Sequence, residues 1–214
     1  MKINLEILDS SYIYDQVQIQ DLNTKELVPK MVTRRRLTRA AKIALYLASE
    51  VNFEDGRIVY GNSYAELEST SKILNSINNQ EQISPTVFQN SVNNTAVSYL
   101  SMVTSNKNEI MTISSGDNTS LNILKAGAIK ALDKDTLLLL VTETINIEKI
   151  EELNNCIEYL ECGVALKVRL TTEDKTIDYM DIKNKENFPL SVMHMLQIAQ
   201  NIDNNTSNII EVNL

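Results

Sequence analysis

The run Ile110 to Glu143, IMTISSGDNTSLNILKAGAIKALDKDTLLLLVTE, decides the fold. It is flanked by two short apolar segments, Ile110 to Ile113 and Leu137 to Val141. Each is too short for a helix and too continuous for a strand with one wet face, so both read as central, buried strands of a layered sheet. Between them Leu121, Leu124, Ala128 and Leu132 recur at helical spacing. The turn Ser114-Ser115-Gly116-Asp117-Asn118 opens that helix, with Asp117 or Asn118 placed to cap its first N–H groups. Strand, turn, helix and strand make a βαβ unit. In such units the strand-to-helix turn lies at the carboxyl edge of the sheet, where helix N–H groups and dipole favour an anion or a nucleophile. The turn is therefore the first place to look for chemistry, yet it contains neither Cys nor His.

Upstream, Ile3, Leu5 and Ile7 alternate with Lys2, Asn4 and Glu6, which predicts a one-faced strand over residues 2–8. Tyr12 to Leu27 reads as a polar loop. The basic run Arg34, Arg35, Arg36, with Arg39 one turn on, leads into a helix carrying Leu37, Ala41, Ala44, Leu45 and Ala48 on one face. Arg57 to Tyr60 is a strand ending at Gly61-Asn62-Ser63, followed by a helix over Tyr64 to Leu74 and a surface loop over Asn75 to Gln82. Ser84 and Pro85 then start a helix that continues to Met102, with Val92, Ala96, Tyr99 and Leu100 inward. Downstream, Ile150, Leu153, Ile157 and Leu160 mark an amphipathic segment, Gly163 to Leu170 a strand, and Thr171 to Asn187 a charged turn. Phe188 to Ile202 is a last helix, with His194 among Val192, Met193, Met195 and Leu196, and the tail ends in a short strand, IIEVNL.

With 214 residues and 43% hydrophobic composition, the chain can bury one good core. The expectation is a single domain over residues 1–214, an α/β fold with a mixed sheet layered with helices. A net charge of −8 argues against a nucleic-acid partner, which needs clustered positive charge. Cys156 and Cys162 lack the paired spacing of a zinc site, and one His cannot complete one, so buried reduced thiols, no metal and no cofactor are expected. No run reaches the length of a membrane span, and the N-terminus has no leader pattern, so the expected location is the cytoplasm.

The same residues resemble β-ketoacyl synthases. In that family a strand of the form T-V-D-T leads through A-C-S-S-S-L into a helix, the Cys being the acyl acceptor. Here Thr112-Ile113-Ser114-Ser115 is followed by Gly116-Asp117-Asn118-Thr119-Ser120-Leu121, and the Cys position is Asp117. SPTVFQNSVNNTAVSYLSMV (Ser84 to Val103) is similar to the segment placed before that strand, and RRRLTRAAKIALYLA (Arg34 to Ala48) to the first long helix. The likeness covers roughly residues 30 to 165 and is nearest to short ketosynthase-like proteins of the chain-length-factor type. It implies one half of a thiolase-like fold. It also implies association through the strand Ile110, Met111, Thr112, Ile113 and Ser114, with a ketosynthase subunit or with a second copy.

Condensation needs a thiolate and two basic groups for decarboxylation and oxyanion binding. The family's His-Gly-Thr and Gly-His motifs are absent, and His194 stands alone. The resemblance thus implies a non-catalytic subunit acting with a complete ketosynthase in fatty-acid-like, aryl-polyene or polyketide biosynthesis, with acyl carrier protein as a further partner. Asp117 has three readings: a helix N-cap, a residue filling a vestigial pocket, or a catalytic carboxylate lacking an identifiable base. Ser114 and Ser115 read as buried sheet-end serines, and Gly116 completes the turn. A small acyl-thioester transferase or hydrolase working through Ser115 or Asp117 is the alternative, although T-I-S-S-G-D does not give a nucleophile elbow. Arg34, Arg35, Arg36 and Arg39 read either as a solvated helix start or as a patch for a partner's carboxylates or phosphates.

Overall fold

The structure, a computed structural model, describes residues 1–64, 66–145, 147, 159, 161–174, 176–177, 179, 187–204 and 207–214. Its strands are β1 (Lys2–Asp15), β2 (Arg57–Gly61), β3 (Ile110–Ile113), β4 (Leu137–Thr144), β5 (Glu161–Thr171), β6 (Thr176–Ile177) and β7 (Ile209–Asn213). They form a seven-stranded sheet in the order β3-β2-β4-β5-β1-β7-β6. β2 is parallel to β3 and β4, β6 is parallel to β7, and the pairs from β4 through β5 and β1 to β7 are antiparallel. The helices are α1 (Thr24–Leu27), α2 (Met31–Arg34), α3 (Arg39–Glu50), α4 (Leu67–Asn78), α5 (Pro85–Asn90), α6 (Thr95–Thr104), α7 (Thr119–Ala131) and α8 (Leu190–Asn204).

β4 is buried along its whole length because helices cover both faces of the sheet. Leu137, Leu139 and Val141 pack into the layer of α7 and α8, and Leu138 and Leu140 into the layer of α3 and α6. β3 is not central. It lies at the sheet edge with its four side chains half-buried, and no strand flanks its outer side among the described residues. An apolar run specifies a strand but not its neighbours, which is why β3 and β4 look alike in sequence. The β2-facing carbonyls of this edge are those of Glu109 and Ile113, which accept from the N–H groups of Ile58 and Asn62. By strand alternation, the backbone groups of Ile110 and Thr112 face the open side.

β1 is longer than its first alternation indicates and includes residues expected in a loop. Its pairing with β5 shifts between Ile7 and Asp9. The bulge reverses the inward parity, so Ile3, Leu5 and Ile7 share a core with Tyr12 and Tyr14 while Ile13 turns to the opposite layer. Strict alternation ends at this point, and the sequence beyond it ceases to read as strand.

Other boundaries move for local reasons. α4 starts later and ends later than expected, absorbing part of the Asn-rich stretch. Residues 84–102 form two helices, because Ser91 to Asn94 interrupt them, and Val92 is exposed rather than inward. Pro85 opens α5, without a side-chain cap from Ser84. On α7, Leu124 and Ala128 are buried and Leu121 is half-buried, while Leu132 lies past the helix end and is exposed. Cys162 is buried; Cys156 and most of the 148–160 and 171–187 segments lie outside the described residues.

The basic run divides. Arg34 Nη1 donates to the carbonyls of Val28 and Pro29. Arg39 leaves the surface to meet Glu161 with two bonds of 2.6 Å, and its Nη2 also donates to the Ile19 carbonyl. Glu161 has no solvent exposure and Arg39 16%. A fork-to-carboxylate bond of this geometry offsets the desolvation of both charges and ties α3 to the start of β5. Removing the guanidinium alone leaves a buried carboxylate short of its counter-charge, so Arg39→Met is expected to destabilise the fold by about 3–5 kcal/mol, and Arg39→Met with Glu161→Leu by much less. Urea unfolding midpoints of the two variants against wild type check this.

Candidate functional site

β2 and β3 end together beside β4, with Gly61 in register with Ile113 on one side and Val141 on the other. α7 begins directly over that edge. A Cβ on Gly61 would stand 2.6 Å from Ile123 Cδ1, 2.7 Å from Thr119 Cγ2 and 2.9 Å from the Ile113 carbonyl oxygen, so only glycine lets the helix seat there. The connecting turn is a 3₁₀ turn over Gly116–Asn118, entered through a left-handed Gly116 with φ 57°.

The turn presents its residues differently from the sequence expectation. Neither Asp117 nor Asn118 caps α7 with its side chain. Thr119 is the local clasp: its Oγ1 accepts from the Ser115 N–H at 3.0 Å and donates to the Gly116 carbonyl at 2.7 Å. That inner clasp lets Asp117 point to solvent, where it makes no hydrogen bond or ion pair among the described residues. Ser114 is exposed and Ser115 half-buried, so neither is the buried sheet-end serine expected. β3 supplies Ile110, Met111, Thr112 and Ile113 as a half-buried edge beside them.

Behind the turn lies a buried polar lattice. Ser120 Oγ and His194 Nδ1 are 3.3 Å apart, joining α7 to α8. Burial holds the His194 imidazole below its usual pKa, hence neutral at pH 7. One helical turn away on α8, Ser191 Oγ donates to Glu143 Oε1 at 2.6 Å. Glu143, on β4, also accepts from the N–H groups of Ser63 at 2.6 Å and Tyr64 at 3.1 Å, fixing the chain as it leaves β2. Burial pushes this carboxyl up to about 7, although its three donors favour the ionised form. Tyr60 Oη and Thr142 Oγ1 are 2.7 Å apart, and Asn62 Nδ2 donates to Tyr60 Oη and to the Asn93 carbonyl. The Cys162 thiol, opposite Glu143 in the β4–β5 ladder, is held well above its ordinary pKa by burial and by the neighbouring Glu143.

The lattice clamps the ends of β2 and β4 to α7 and α8, and its chemistry is that of a brace. Ser120 has no solvent exposure and His194 is 9% exposed, and a protonated buried thiol such as that of Cys162 is a poor nucleophile. Sequence reading placed His194 on the Met-rich side of the last helix, as a satisfied or partly exposed residue, but missed its partner and missed Glu143. The available signal was a carboxylate at the end of the otherwise apolar LLLLVTET run, since a charge in a strand covered on both faces needs dedicated donors.

Glu143 gives the lattice a pH dependence. Between about pH 4.3 and 7 the unfolded carboxyl has lost its proton while the native one retains it, so stability from this group falls as pH rises through that window, by roughly 3 kcal/mol in total. Glu143→Gln abolishes that titration. Its stability relative to wild type is therefore expected to shift in the variant's favour by up to about 3 kcal/mol from pH 5 to pH 8. Urea unfolding of both proteins at the two pH values measures the double difference.

The sequence model of the β-ketoacyl synthase N-terminal domain matches residues 13–212. Among solved structures, the ketosynthase (ApeO) in complex with its chain length factor (ApeC) from Xenorhabdus doucetiae matches with a TM-score of 0.65 at 20% identity, over 82% of this chain and 85% of that one. The ishigamide ketosynthase/chain length factor matches at a TM-score of 0.61 and 11% identity, over 80% of this chain and 63% of that one. A type II polyketide ketosynthase complex with its acyl-carrier protein, AntDE:AntF, matches at 0.58 and 10% identity, again over 63% of its chain. A search of the curated proteins found no match. The shared fold is thiolase-like, a mixed sheet between helices, and the described residues include no helix long and apolar enough to cross a membrane. The chain belongs to the β-ketoacyl synthase family through its N-terminal domain.

Proposed function

We propose that this chain is a ketosynthase-like subunit of the chain-length-factor type, without condensing activity of its own, which pairs with a complete β-ketoacyl synthase. The observation that carries this reading is the strand-to-helix turn: where the motif match places the acyl-accepting Cys stands an exposed Asp117, and the only His in the chain is buried against Ser120. The 1–214 chain acts as one such domain in the cytoplasm, in a fatty-acid-like, aryl-polyene or polyketide pathway. Its partner is a ketosynthase or a second copy, and an acyl carrier protein visits the pair. The transferase or hydrolase reading through Ser115 or Asp117 has less support, because no base stands beside either side chain among the described residues.

Two surface features favour association. β3 exposes the outward backbone groups of Ile110 and Thr112, an arrangement that invites a further strand. In the segment leading to it, Leu74, Ile77, Phe88, Val92 and Met102 are 47% to 63% exposed, an apolar array that a partner would cover. Because Thr112 faces away from β2, proline there removes an outward donor and leaves the β2 ladder intact.

The isolated protein is expected to form no C–C bond from acyl and malonyl thioesters; measurable condensation would sink the proposal. Thr112→Pro should retain the wild-type circular dichroism spectrum while losing association with a ketosynthase in sedimentation. A wild-type chain that stays monomeric with every ketosynthase offered would show that β3 is no pairing strand.

A further inference from the structure

α3, α4 and α5 enclose a polar cleft of about 550 Å³. Arg35 and Arg36 line it from the approach to α3, Lys42 from α3, Ser69 and Lys72 from α4, and Thr86 from α5. Most other charges around it are already matched. Arg39 is committed to Glu161, and Lys72 to Glu68 one turn back on α4. Glu66 is buried, its Oε1 accepting from Thr38 Oγ1 at 2.7 Å, and burial raises its carboxyl to about 7, so much of it is uncharged at neutral pH. The side chains of Arg35, Arg36 and Lys42 make no hydrogen bond or ion pair among the described residues.

Three unmatched cations thus face one concavity in a chain of net charge −8. The Lys42 ammonium is destabilised in place, first by burial and then by the nearby Arg39 guanidinium, against a smaller opposing pull from the Glu161 and Glu68 carboxylates. We propose that this cleft binds a phosphate monoester. A phosphate dianion offers three oxygens to two guanidinium forks and an ammonium, with Ser69 and Thr86 as hydroxyl donors at the rim. The volume exceeds a bare phosphate and lies in the range of small-molecule sites, leaving room for an organic portion against Leu37 and Val87. Of the four arginines in the basic run, the site uses Arg35 and Arg36. Arg34 and Arg39 are held by the protein itself.

Glycerol 3-phosphate titrated into the isolated full chain at low salt, followed by calorimetry, tests this without any ketosynthase, so the result is independent of the pairing proposal. Saturable binding is expected, with none for glycerol and much weaker binding for citrate. Arg36→Gln and Lys42→Met should each weaken it roughly tenfold or more. Arg36 is solvent-facing, so its replacement leaves the melting curve unchanged and keeps the test valid should Lys42→Met fold poorly. In wild type, the Lys42 ammonium pKa read by NMR should rise on binding. Absence of saturable binding, equal affinity in the Arg36→Gln variant, or citrate binding as tightly as glycerol 3-phosphate would each overturn the assignment.

Discussion

Leu137, Leu138, Leu139, Leu140 and Val141 are entirely without solvent exposure, and this two-sided burial of β4 governs the rest of the architecture. An alternating strand can leave one face to water; a continuous apolar run cannot. Each of these side chains contributes about 1.5–3 kcal/mol only if a helix layer closes over it. α7 closes one side and α3 with α6 the other. β2 lies beside β4 in parallel, since α4, α5 and α6 return the chain from β2 to β3 in the same direction and α7 returns it from β3 to β4. The carboxyl edge where family chemistry resides is a consequence of that burial.

The polar lattice at this edge follows from the same constraint. β4 is longer than its apolar run, and Thr142, Glu143 and Thr144 remain buried beyond it. Buried polar groups need partners. They find them in Tyr60, in Ser191 and in the backbone that leaves β2. Ser120 and His194 extend the brace between the two helices of the same layer. The serine, the imidazole and the carboxylate near this strand-helix turn are buried, and their hydrogen bonds join strand to helix and helix to helix.

Legibility in the sequence tracked how local each determinant was. The βαβ unit, the Arg57–Gly61 strand and the terminal helix and strand were readable because periodicity and flanking residues suffice for them. β3's place at the edge was not, since edge and centre differ only in what lies beside the strand. The β1 bulge erased the alternation on which that reading relied. Arg39 was grouped with its basic neighbours because charge runs are visible, whereas its partner Glu161 is 122 residues away. The capping role expected of Asp117 was not realised because Thr119, two residues on, supplies the clasp instead.

That exchange of roles leaves the shape of the turn independent of the side chain at position 117. A thiolate at a helix start is favoured by the unsatisfied N–H groups and the dipole. A carboxylate in the first turn is favoured by the same field, by about 0.3–1 kcal/mol when exposed. Asp117 therefore has the electrostatic fit of an anion at the start of α7. The clasp that holds the turn resides in Thr119 and Gly116, and the seating of α7 depends on Gly61. None of these passes through the side chain of Asp117. The geometry of the turn and the chemistry of that one side chain are thus separable, and the second can change without disturbing the first.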